Sequence, residues 1–207
     1  MILSEAREMI VGAVKDEAGK LTTPDDYDFA LKKALARYSQ YRPRRISQTV
    51  ATGANGEILT SAITDFDEGF IDRLQIEYPI ATTSGTQTFL DSWQWEYQLS
   101  DSGMVIRFLD SIPAVGVNVR IIHRVKHSWP TSEDTALTVP EADTEAVCSL
   151  AIAECLQILS NLFTQTVDKY PQADFTNFST KGQDYSYRAK NYRDLFDEHF
   201  RPSPMVA

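Results

Sequence analysis

The chain has too few of several residues for most familiar chemistries. Three histidines in 207 residues leave histidine-based catalysis few actors, and no Gly-x-Ser-x-Gly elbow or phosphate-cradling glycine loop is present. There are only two cysteines, Cys148 and Cys155. Seven positions apart on one expected helix, they sit about 10 Å apart along the axis, too far for a disulfide. They read as buried thiols in a reducing compartment, since two sulfurs without neighbouring histidines cannot complete a tetrahedral metal site. Positive charge is also scarce: 20 basic against 29 acidic side chains give a net charge of -9. That balance speaks against a protein that grips nucleic acid through clustered Lys and Arg, yet it suits a conduit whose wall repels a passing phosphate backbone. No cationic, apolar N-terminal leader and no run of about 20 apolar residues is expected from the sequence, nor any repeat or low-complexity segment.

What is there is hydrophobic periodicity. Ile2, Leu3, Ala6, Met9, Ile10, Ala13 and Val14 fall on one face of an amphipathic helix over roughly 4–20. A Thr23 cap, Pro24 at the first helical position and the acids Asp25 and Asp26 open a second helix. Its stripe, Tyr27, Leu31, Ala34, Leu35 and Tyr38, runs to about Tyr41, and Pro43 ends it. From 46 to 139 the period becomes two, with the clearest strands at 71–78, 93–99, 104–109 and 117–125. Ser100, Asp101, Ser102 and Gly103 predict a hairpin turn, and 110–116 with Pro113 a loop. Helical periodicity returns at Val139, Pro140 and Glu141, with Asp143 and Glu145 in the first turn. The stretch from Ala146 to Phe163 is apolar nearly all round, so it is either the central helix of a bundle or a helix with one face on a neighbouring subunit. A polar linker with Pro171 precedes a last helix, about 180–200, striped by Tyr185, Ala189, Tyr192, Leu195, Phe196 and His199. The fold class is therefore α+β: a bundle of about four helices (1–45 and 140–200), an antiparallel β-domain inserted between helices 2 and 3 (46–139), and an extended tail (201–207).

Candidate chemistry is sparse. His123 and His127 lie about 13 Å apart if extended, too far to share a metal. Asp65, Asp67, Glu68 and Asp72 form an acidic loop without the alternating-ligand pattern of a calcium site. Trp93, Trp95 and Tyr97 alternate on one strand, as a core face would, or as a platform for stacking sugar rings in a carbohydrate- or receptor-binding module. Any two acids could meet as a hydrolase pair, but nothing singles one out. Arg42, Arg44 and Arg45, with Lys32, Lys33 and Arg37 behind them, make the one concentrated basic patch, suited to an intersubunit or phosphate contact or to a solvated helix end.

Five stretches taken in order carry a resemblance. They are Ala34-Leu35-Ala36-Arg37-Tyr38-Ser39 through Pro43-Arg44-Arg45, Leu74-Gln75-Ile76-Glu77-Tyr78-Pro79, Val117-Asn118-Val119-Arg120-Ile121-Ile122-His123, Ala136-Leu137-Thr138-Val139-Pro140, and Tyr185-Ser186-Tyr187-Arg188-Ala189-Lys190-Asn191-Tyr192. The ordered pattern resembles the head-tail connector (adaptor or head-completion) proteins of long-tailed bacteriophages and prophages. That resemblance implies a non-enzymatic structural subunit of the virion neck, assembled in the bacterial cytoplasm, without cofactor, metal or membrane. It implies a ring, commonly of twelve copies, that docks beneath the portal protein and meets a tail terminator or stopper while genomic DNA passes through the lumen. The segment that commonly engages the portal corresponds by position to Arg201, Pro202, Pro204, Met205 and Val206. Its prolines reduce the entropy lost on docking, and Met205 and Val206 supply apolar anchors.

Overall fold

The computed structural model describes residues 1–53, 56–82, 87–101, 103–109, 113–167 and 175–201, with backbone alone at 166–167 and 175–180. The protein is α+β, with two small antiparallel sheets placed between its second and third helices. The chain divides into two compact units, Met1–Arg42 with His127–Ala207, and Pro43–Lys126.

The helical unit holds α1 (Leu3–Val14), α2 (Asp25–Tyr41), α3 (Glu141–Val167) and α4 (Phe175–Phe200). α1 stops six residues before the expected end because Lys15 turns left-handed (φ 52°) and the Asp16 carboxylate accepts the Leu21 N–H at 2.7 Å. α2 is not capped by Thr23. Pro24 is its N-cap residue, and the Asp26 carboxylate accepts the Thr22 N–H at 2.6 Å. α3 is the central helix, packing on α1, α2 and α4 with Leu150, Ala151, Cys155, Leu156 and Leu159 buried. One stretch of it, Glu141–Gln165, is long and apolar enough to cross a membrane, contrary to the sequence expectation, and most of it is buried inside the protein. Such a helix is apolar all round because it has neighbours all round.

α3 and α4 come close together at Gly182, where a Cβ would lie 3.0 Å from the Thr164 hydroxyl and where the Ser160 hydroxyl donates to the Gly182 carbonyl at 2.8 Å. α4 starts at Phe175 and buries Ala189 and Phe196, while Tyr185 and Tyr192 are partly buried. Leu195, expected on the apolar stripe, is 53% exposed. Residues 127–139, expected with the strands, belong to the helical unit. Leu137 and Val139 enter its core, and Leu3, Ser4 and Leu137 join this segment to the N-terminus through backbone hydrogen bonds. The linker around Pro171 lies outside the described residues.

Among its described residues the inserted unit has six strands: β1 (Arg44–Ala51), β2 (Glu57–Leu59), β3 (Gln75–Glu77), β4 (Trp95–Ser100), β5 (Gly103–Phe108) and β6 (Asn118–Val125). Two sheets form, ordered β1-β6-β3 and β2-β5-β4, and Val50, Ile76, Val119 and Ile121 of one share a core with Ile58 and Ile106 of the other. The β4–β5 hairpin closes on the pair Ser100 and Gly103, the glycine at φ 111° as a tight turn requires. Three differences from the sequence reading stand out. β1 and β2 were not foreseen as separate strands. Only 75–77 of the expected 71–78 is extended, because 68–73 winds into 3-10 turns once the Asp67 side chain accepts the Gly69 N–H. Trp93 precedes β4, in a turn closed by Gln94 N–H on the Asp91 carbonyl. Of the loop 110–116, residues 110–112 lie outside the described residues.

Each unit is closed at its own ends. In the helical unit the His127 ring nitrogen Nε2 donates to the Arg42 carbonyl at 2.9 Å. In the inserted unit Arg44 is paired with Val125 as the last rung between β1 and β6.

Candidate interaction sites

The basic patch read from the sequence resolves into separate ion pairs. Arg37 binds Asp197 at 3.2 Å, Lys33 binds Glu154, and the Lys32 ammonium lies 4.6 Å from the centre of the Trp129 ring. Arg42 belongs to the helical unit, Arg44 and Arg45 to the inserted one. On β1 the strand alternation turns Arg44 and Arg45 to opposite faces. Arg44 reaches Asp65 at 2.9 Å, and Arg45 is exposed, touching the Gln75 side-chain oxygen at 3.5 Å.

Arg42 instead completes a buried hub around Asp143, whose side chain is 1% exposed. The Tyr38 hydroxyl donates to Oδ2 at 2.6 Å, the Arg42 guanidinium to both oxygens at 2.9 Å, and His199 Nε2 to Oδ1 at 2.9 Å. Burial by itself raises the Asp143 pKa. The hydrogen bonds from Tyr38, His199 and Arg42, with the Arg42 charge, outweigh it and hold the carboxyl below its ordinary range. Burial and the hydrogen bond to Asp143 push the Tyr38 phenol up. Both carboxylate oxygens are fully engaged, so this group is a clamp joining α2, α3 and α4 and not a base awaiting a substrate. Aromatic rings surround it: Phe200 lies 5.7 Å from Tyr38 and 5.6 Å from Tyr41, Phe196 lies 5.5 Å from Tyr41, and the Arg42 guanidinium is 5.3 Å from the Phe200 centroid. Sequence reading placed Asp143 only as a first-turn acid and His199 only on an apolar stripe. The i, i+4 spacing of Tyr38 and Arg42 was the one local sign that they act together.

The remaining candidates have structural partners. His123 Nε2 donates to the Thr64 carbonyl at 2.9 Å, and its buried Nδ1 has no hydrogen-bond partner. His127 Nδ1 lies 2.9 Å from the Thr138 hydroxyl oxygen, within hydrogen-bond distance. Burial pushes the thiol of Cys148 up to about 11 and that of Cys155 up to about 12, which makes both inert at neutral pH. The acidic loop is spread over separate partners: Asp65 on Arg44, Asp67 on Lys126 at 3.2 Å, Glu68 accepting from the Tyr97 hydroxyl at 2.7 Å, and Asp72 beside Arg73. Among the described residues no group of three His, Cys, Asp or Glu side chains is placed to hold a metal.

Trp95 and Tyr97 are half-buried against the core of the inserted unit, and burial with the Glu68 hydrogen bond pushes the Tyr97 phenol up to about 12. Trp93, 61% exposed, is the one open ring of the three, so the strand offers no pair of stacking faces. Arg201 is exposed just beyond α4, and Pro202, Pro204, Met205 and Val206 lie outside the described residues.

In the inserted unit a cavity of about 570 Å³ is lined by Arg45, Arg73, Leu74, Phe89, Ile122 and Arg124, among others. Arg124 and this cavity were not legible in the sequence, because they depend on the register of β1 against β6. A scan against models of known protein families finds no match, and neither does a search of curated proteins.

Proposed function

We propose that the chain is a structural subunit of the neck of a tailed bacteriophage, an adaptor that assembles as a ring beneath the portal and passes DNA through its lumen. The observation that carries the reading is how α4 ends. Its last turn is tied to the bundle by Phe196, fully buried, by His199 on Asp143 and by Phe200 among Tyr38 and Tyr41. Arg201 therefore follows a fixed point, and a docking segment that begins on a rigid base loses less freedom on binding than one that begins on a frayed helix. The ordered likeness to connector proteins supplies the partner class. The net charge of -9, with ten of the 20 basic side chains held in ion pairs, suits a wall that DNA slides past.

Light scattering on the purified chain, alone and then mixed with a portal ring from the same genome, tests this. Conversion of the free chain into one defined, much larger complex is the expected result. Failure to bind any portal, with retention on a glycan array, would overturn it in favour of a receptor-binding module.

A further inference from the structure

Five of the seven basic side chains of the inserted unit are accounted for. Arg44, Arg73, Arg107, Arg120 and Lys126 each lie within 4 Å of a carboxylate, Asp65, Asp72, Glu57, Glu77 and Asp67 respectively. Among the described residues Arg45 and Arg124 have no such partner. They are also directly opposite each other across β1 and β6, an arrangement of like charges that a sheet does not choose for its own stability. Both line the cavity, where Leu74 and Ile122 are buried and Phe89 is 38% exposed. Asp72, beside Arg73, and Gln75 and Gln87 complete the lining, so the cavity offers two guanidinium groups without a carboxylate partner next to a small apolar patch, which suits a ligand with an apolar side chain and a carboxylate at its tip.

The same unit carries such a shape. β2 pairs with Val105, Ile106 and Arg107 of β5, and just beyond it the Thr60 hydroxyl donates to the Met104 carbonyl at 3.1 Å, so the end of the β4–β5 hairpin, from Leu99 and Met104 to Ser100 and Gly103, extends past the third strand as a finger with Thr60 at its root. Leu99 on it is 76% exposed, the most open of the large hydrophobic side chains, and Asp101 follows it, exposed and without a basic partner among the described residues. Because Leu99 is open to solvent, the finger does not fill the cavity of its own chain.

We propose that the finger of one copy seats in the cavity of the next, with Leu99 against Phe89 and Ile122 and the Asp101 carboxylate between Arg45 and Arg124. A second copy is favoured over a nucleic acid because the chain carries -9 overall, which repels phosphate at a distance. Donor and acceptor are different surfaces, so the contact is head-to-tail and propagates into a closed ring or a filament. The inference deepens the ring-forming part of the adaptor reading and rests on it only there.

Disulfide trapping on the full chain tests it. Leu99→Cys chains are mixed with Phe89→Cys chains and oxidised, the native thiols being buried. A cross-link between the two is expected in the mixture and not with either alone. Arg124→Glu in the acceptor lowers its yield at least tenfold, and Asp101→Arg in the donor restores it, with circular dichroism unchanged throughout. No cross-link, or one indifferent to both charge reversals, overturns the proposal. So does an Arg124→Glu chain that loses binding to inorganic phosphate or to a DNA duplex while cross-linking normally. Portal binding without the cross-link refutes the finger contact alone, and the cross-link without portal binding refutes the adaptor reading alone.

Discussion

Asp143 shows how much a single buried side chain can organise. Asp143→Ala leaves the buried Tyr38 hydroxyl unpartnered and frees His199, and is expected to cost about 2 kcal/mol in urea unfolding at neutral pH. Because its folded pKa lies below the ordinary 3.8, the stability it supplies is complete above about pH 4 and fades as pH falls through the folded value. The acid limb of a stability-against-pH curve should therefore be flatter in Asp143→Ala than in the parent. The thiols have the opposite sign. With folded pKa values raised from 9.0 to about 11 and about 12, their protonated forms stabilise the fold fully below pH 9, and that contribution is lost as pH rises toward 12. Replacing both Cys148 and Cys155 by Ala should flatten the alkaline limb above pH 9. In the parent at pH 8, a thiol reagent should label them only as fast as the helical unit opens.

At the level of elements, α3 and α4 set the strictest demands. Leu156→Asp places a charge in the middle of the most buried helix and is expected to yield no folded protein, monomeric or assembled, as read by circular dichroism and gel filtration. Gly182→Val removes the close approach to Thr164 and should lower stability by about 1–3 kcal/mol. The helices were legible because α2 and α4 repeat a 3.6-residue pattern over several turns, which averages out local noise, and because α3 is one long, nearly unbroken apolar stretch. The β4–β5 hairpin was legible from Gly103. Short strands gave no such averaging. β2 has three residues, and the apolar run at 71–78 was partly diverted into 3-10 turns by one Asp67 side chain. The interaction sites were least legible of all. Arg45 meets Arg124, and Tyr38 meets Asp143 and His199, across separations that only the fold closes.

For the molecule as a whole, loss of the segment 201–207 should leave the melting temperature within about 2 °C of the parent, since α4 is held by Phe196, His199 and Phe200. The truncated chain should fail to form the portal complex, and a normal complex would remove the segment from the proposed mechanism. The contact between Arg42 and His127 points somewhere else again. A host fold whose two cut ends already touch treats whatever lies between them as a detachable part, so bridging Arg42 to His127 with a few glycines should leave the four helices folded. Such a junction lets the two parts of the chain change separately. The scaffold can stay constrained by its own core while the inserted segment is exchanged, lengthened or redrawn by recombination to suit a new neighbour.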